Sequence, residues 1–114
     1  MRVILTLSLA GILAACAAPL PPTARMESNS AAMRSAEEVG APKVPAAALH
    51  LQLAREQTEH ARAALAKGER SNAEGLLMRA EADANLAVAL SRGDTSMREA
   101  QEAVEQARKL RGNP

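Results

Sequence analysis

A chain of 114 residues carries 14 Lys or Arg against 13 Asp or Glu, a formal net charge of +1, and 47% of it is hydrophobic. That is one small domain at most, and charges of both signs interleave without a basic footprint for nucleic acid or anionic lipid. Without Phe, Tyr or Trp it lacks the stacking platform that carbohydrate clefts and single-stranded nucleic-acid sites use, and its single cysteine excludes an intramolecular disulfide.

Met1-Arg2 is a positive start, and residues 3–13 are apolar apart from Thr6 and Ser8. About eleven helical residues reach roughly 16 Å, half a bilayer, which is short for a membrane span and suits a signal h-region. No later stretch approaches the ~18 consecutive apolar residues of a span. The segment closes on Leu13-Ala14-Ala15-Cys16. This run resembles the lipobox of bacterial lipoproteins, in which a signal peptidase cuts just before a cysteine that carries lipid. The resemblance implies a signal peptide over residues 1–15, a diacylglycerol thioether on Cys16 and an acyl chain such as palmitate on the new amino terminus. Each buried methylene contributes ~0.8 kcal/mol, so several chains on one residue anchor stably. Ala17 stands where an Asp would imply inner-membrane retention. By that analogy the chain is sorted, in a diderm host, to the periplasmic face of the outer membrane. Ordinary secretory cleavage after Ala17 or Ala18 also fits, because Ala15-Cys16-Ala17 is an A-x-A pattern; it would leave no lipid.

Residues 16–29 read as the lipidated cysteine and a tether, in which Pro19, Pro21 and Pro22 favour extended geometry. Ser30 is a candidate cap for a short helix to about Val39, with Ala32, Ala36 and Val39 on one face and Gly40 at the C′ position; Ser35 and Glu38 offer a competing capping box. Pro42 and Pro45 enforce a break. From Pro45, which suits a first helical turn, no breaker intervenes before Gly68, and Ala47, Leu51, Ala54, Thr58, Ala61 and Leu65 mark one helix stripe. Ser71-Asn72-Ala73-Glu74 is a capping box for a helix carrying Ala73, Leu77, Ala80, Ala84 and Ala87, expected to end near Arg92-Gly93. Ser96-Met97-Arg98-Glu99 is a second box, opening a helix with Met97, Ala100, Val104 and Ala107 on one stripe and closing at Gly112. Gly75 costs ~1 kcal/mol in a helix and either admits a neighbouring backbone or is slack. No alternating β-branched run predicts a strand.

The expected fold is therefore all-α: a slim antiparallel helical hairpin or three-helix bundle over residues 30–112, with a short extra N-terminal helix. Short loops make consecutive helices antiparallel neighbours, and alanine lets their axes approach closely. Larger apolar residues are few, so the core is thin and self-association or a partner is expected to assist it.

The turn at Gly68, with Ala73 and Ala80 after it, has the spacing of one tetratricopeptide unit. Asn85 sits where that pattern expects proline, and stable arrays need about three units. A closer likeness covers residues 31–111: a short Ala-rich helix, Gly40-Ala41, a long Leu/Ala helix, Gly68, then Arg79-Ala80-Glu81-Ala82-Asp83-Ala84-Asn85-Leu86-Ala87. This resembles an uncharacterised domain of bacterial envelope lipoproteins, found alone or ahead of an OmpA-type domain. Its motifs are mostly alanine at helical spacing, and it implies a location and a fold but no catalytic residue.

Candidate chemistry is sparse. His50 and His60 lie about 80° apart and ~15 Å along one helix, which excludes a shared metal within the chain. Glu56 and His60, one turn apart, make a weak site at best and a solvated pair more naturally. Asp83, at the margin of the apolar stripe, is a partner-binding carboxylate or, more simply, pairs with Arg79 one turn earlier. Met26, Met33, Met78 and Met97 are too scattered for a thioether copper site and read as gap fillers in the core. Glu99, Glu102 and Glu105 face different directions among arginines. With no nucleophile constellation, phosphate loop or zinc-ligand cluster, the expectation is no enzyme, no cofactor and no metal. The sequence points to a non-catalytic structural or adaptor lipoprotein whose helix faces bind an envelope protein or a second copy. Attachment to the cell wall is an alternative, against which Lys109 is not the terminal residue; carriage of a small apolar ligand between the helices is another.

Overall fold

Gly40 and Gly68 take positive φ, 87° and 79°, and they divide the chain into its helices. The structure is a computed structural model describing residues 20–112, so the signal segment, Cys16 and Pro19 lie outside the described residues. Among these residues it is all-α: α1 spans Pro22–Glu38, a single 3-10 turn spans Ala41–Lys43, α2 spans Pro45–Ala66 and α3 spans Arg70–Arg111.

Helix α1 starts at Pro22 rather than near Ser30, so the second half of the expected tether is helical. Pro21 is extended and Pro22 occupies the first turn, where a missing N–H costs nothing. Ser30 is no cap; its hydroxyl donates to the Met26 carbonyl at 2.9 Å, one turn back. The helix closes as expected on Gly40, whose N–H donates to the Glu37 carbonyl. Helix α2 ends in a Schellman motif: Glu69 N–H reaches the Ala64 carbonyl at 2.9 Å and Gly68 N–H the Leu65 carbonyl at 3.0 Å.

Helix α3 corrects two expectations. It begins at Arg70, which puts Ser71 inside the first turn, and no side chain caps it. It then runs through Gly93 for 42 residues, so the separate helix expected at Ser96 does not exist. A helical glycine costs about 1 kcal/mol but forbids nothing, and Gly93 does not take the positive φ that ends α1 and α2. Local bonds carry the helix across: Thr95 donates to the Ser91 carbonyl at 3.1 Å, and Asp94 pairs with Arg98 at 2.7 Å.

Contacts in the core order the helices. Met26 packs by Ala61, Ala64, Ala73 and Leu77; Ala32 and Met33 by Ala54, Ala80 and Ala84; Ala36 by Ala47, Leu51 and Ala87. Levels rise along α1 and α3 and fall along α2, so α1 and α3 are parallel and α2 runs against both. The α2 stripe is buried as read, except that Ala64 replaces Leu65 at its end. Leu51 and Leu77 are the largest fully buried apolar side chains among the described residues, and alanine supplies nearly all the rest.

Candidate functional site

Two helical faces carry polar or apolar groups beyond those that build the core. The first is the flank of α3 where α1 and α2 grip it. Asp83 lies half-buried, and its carboxylate accepts from His50 Nδ1 and from Gln57 Nε2, each at 2.8 Å. His50 and Gln57 stand about two turns apart on α2, so one carboxylate ties two levels of that helix to α3. On the opposite flank, Glu81 accepts from Ser28 at 3.3 Å and faces Arg25 at 3.6 Å. Deeper still, the fully buried Asn29 donates through Nδ2 to the Leu77 carbonyl at 3.0 Å. Across the outer surface, Arg55 of α2 pairs with Glu37 of α1.

These contacts revise the sequence reading residue by residue. Asp83 is paired, but with α2 rather than with Arg79. His50 and His60 are indeed apart: His50 is taken by Asp83, while His60 lies exposed in an open groove beside the α2–α3 turn with Lys67, Glu69 and Asn72. Glu56 accepts from Gln52 at 2.8 Å rather than meeting His60. Met26 and Met33 pack against the core, whereas Met78 and Met97 are 58% and 65% exposed, so the gap-filling role holds for only half of the set. Glu99, Glu102 and Glu105 are exposed. Among the described residues no cluster of His, Cys, Asp or Glu has metal-binding geometry, and no helix is long and apolar enough to cross a membrane. The His50–Asp83 pair is a clamp between helices.

Asn29 went unread because it fell within the expected tether. Its signal was the spacing of Met26, Asn29, Met33 and Ala36, which extends the α1 stripe back by two turns once an asparagine is allowed on it.

The second face is the free half of α3. Beyond Ser91 the helix leaves the bundle, and every residue from 95 to 112 is exposed. At ~1.5 Å per residue this arm is about 30 Å long. It is amphipathic: Met97, Ala100, Val104 and Ala107 form one line, with Val104 52% and the neighbouring Leu110 80% exposed. Ala100, Val104 and Arg108 line a shallow groove along it. No protein family, curated protein or solved structure matches the chain.

Proposed function

We propose that this chain is a non-catalytic structural or adaptor lipoprotein of the cell envelope, held by acyl chains on Cys16 and offering the arm of α3 to a helical partner. The anchor half of the reading is supported by the h-region and Leu13-Ala14-Ala15-Cys16. Because α1 begins at Pro22, the chain between anchor and bundle reaches at most about 20 Å. The observation that carries the binding half is the arm, a six-turn amphipathic extension with no tertiary contact on its apolar line. Parallel α1 and α3 put that arm at the end of the bundle opposite Pro22. Its tip lies roughly 50 Å beyond the level where Asn29 meets Leu77. A short tether, a rigid spacer and a free adhesive end are the parts of a device that connects a membrane to something else.

Two measurements test this. A Cys16→Ala chain should move from the membrane to the soluble fraction with its helicity intact; continued membrane retention would sink the anchor. A photo-crosslinker at Val104 should trap a protein in cells where one at Glu56, on the exposed face of α2, does not. Equal labelling from the two positions would leave the arm with no special role.

A further inference from the structure

Resting on the reading of the arm as a binding surface, we propose that its occupant is the arm of a second copy, packed antiparallel about residue 102. The apolar line begins on the bundle and is longer than the arm. Leu86, Leu90, Gly93, Met97, Ala100, Val104 and Ala107 repeat at alternating steps of four and three, the heptad spacing of a coiled-coil seam. One heptad before Leu90 the line is occupied by Asp83, which α2 covers through His50 and Gln57. Leu86 is 42% exposed and Leu90 still packs on the core beside Ala47 and Leu51, so the line is open to solvent from Gly93 onward.

This line is not the core stripe prolonged. The core-facing positions of α3, ending in Ala84, Ala87 and Ser91, continue as Asp94, Arg98, Gln101, Glu105 and Arg108. That run is polar, so the arm is not built to receive a further turn of α1 or α2. At about 100° per residue the seam lies more than a right angle around α3 from the core stripe. A partner can reach it without displacing the bundle.

Size and charge select the occupant and its direction. In a parallel pair Met97 would stack on Met97, Ala100 on Ala100 and Arg111 on Arg111, forcing wide and narrow layers to share one interaxial distance and setting like charges together. Reversing one copy about residue 102 removes each conflict. Gly93 then meets Arg111, Met97 meets Ala107 and Ala100 meets Val104, a small residue against a large one in each layer of the arm, while Leu86 and Leu90 lie on the bundle outside the overlap. No Cβ neighbour approaches Gly93 within 4 Å, so the space beside it is free for the Arg111 stem. Along one edge of the seam stand Asp94, Gln101 and Arg108. The same reversal sets Asp94 of each copy beside Arg108 of the other, with Gln101 near the two-fold axis. The dimer carries its two Pro22 ends at opposite extremes, so two anchored copies lie along one membrane or face each other from opposing ones.

The full chain tests this by sedimentation equilibrium and disulfide trapping. Asp94→Arg and Arg108→Asp should each weaken self-association by roughly tenfold, since two charge pairs per dimer turn from attraction to repulsion, with circular dichroism reading separately the loss of the Asp94–Arg98 pair within the arm. The double swap should restore it. In a Cys16→Ser background, a mixture of Met97→Cys and Ala107→Cys chains should form a mixed disulfide in preference to either homodimer. A monomeric chain, a double swap no better than the single ones, or preferred Met97→Cys homodimers would each overturn the proposal. A chain that is monomeric yet crosslinks in cells from Val104 to a different protein overturns the second-copy occupant while the adaptor reading stands. Loss of both results removes the arm as a binding surface altogether.

Discussion

Asn29 is one of three polar side chains fully enclosed in the bundle, and it alone bonds to another helix; Thr58 and Ser91 donate to carbonyls one turn back on their own helices. Its Nδ2 is satisfied by the Leu77 carbonyl while its Oδ1 finds no partner. The bond therefore fixes the position of α1 more than it adds net stability. Asn29→Ala should cost about 1–2 kcal/mol in urea unfolding and loosen α1 first, read as faster amide exchange in α1 than in α2. His50 and Asp83 are each partly open to water, which screens their attraction. A double-mutant cycle of His50→Ala and Asp83→Ala should give a coupling of only about 0.5 kcal/mol. The glycines divide by φ. Gly68→Ala, at φ 79°, should cost about 1 kcal/mol, whereas Gly75→Ala should add up to about 1 kcal/mol, because nothing lies within 4 Å of an added Cβ. That free space settles the sequence question about Gly75: it admits no neighbouring backbone.

At the scale of elements, periodicity was legible and so were the closures at Gly40, Gly68 and Gly112 and the start of α2 at Pro45, whereas the start of α1 and the passage of α3 through Gly93 were not. The stripes of α2 and α3 up to Ala87 appear in the structure as read, apart from Ala64 in place of Leu65, because alanine and leucine at steps of four and three have only one face to bury. The start of α1 was missed because prolines suggest extended chain, although one at the first turn is equally a helix start. The break at Gly93 was over-read: Gly-Asp-Thr-Ser resembles a turn, and only φ distinguishes a terminating glycine from a tolerated one. The arm beyond it stands on its own helical propensity and pairs such as Asp94–Arg98. Gly93→Pro should therefore lose much of the arm's helicity by circular dichroism while amides of Ala54, Ala80 and Ala84 keep their exchange protection. Loss of protection in both regions would mean that arm and bundle fold as one unit.

For the whole molecule, the decisive fact is how little large apolar surface is enclosed. Each buried Leu is a large share of the core, so Leu77→Ala, costing about 2–5 kcal/mol, should abolish cooperative unfolding at ordinary temperatures. If copies associate through the arm, the melting temperature of the intact chain should rise with concentration; a high value independent of concentration would show that the alanine core suffices alone. The amino-acid sequence by itself determined the all-α class, the faces that α2 and α3 bury and the thinness of the core. Each follows from side-chain volume and helical period, which are local properties. Tertiary structure alone decided that Asp83 binds α2 rather than its own helix and that α3 continues past the bundle. These depend on which backbone is near which side chain, and on whether a glycine is held at positive φ, and no local pattern encodes either.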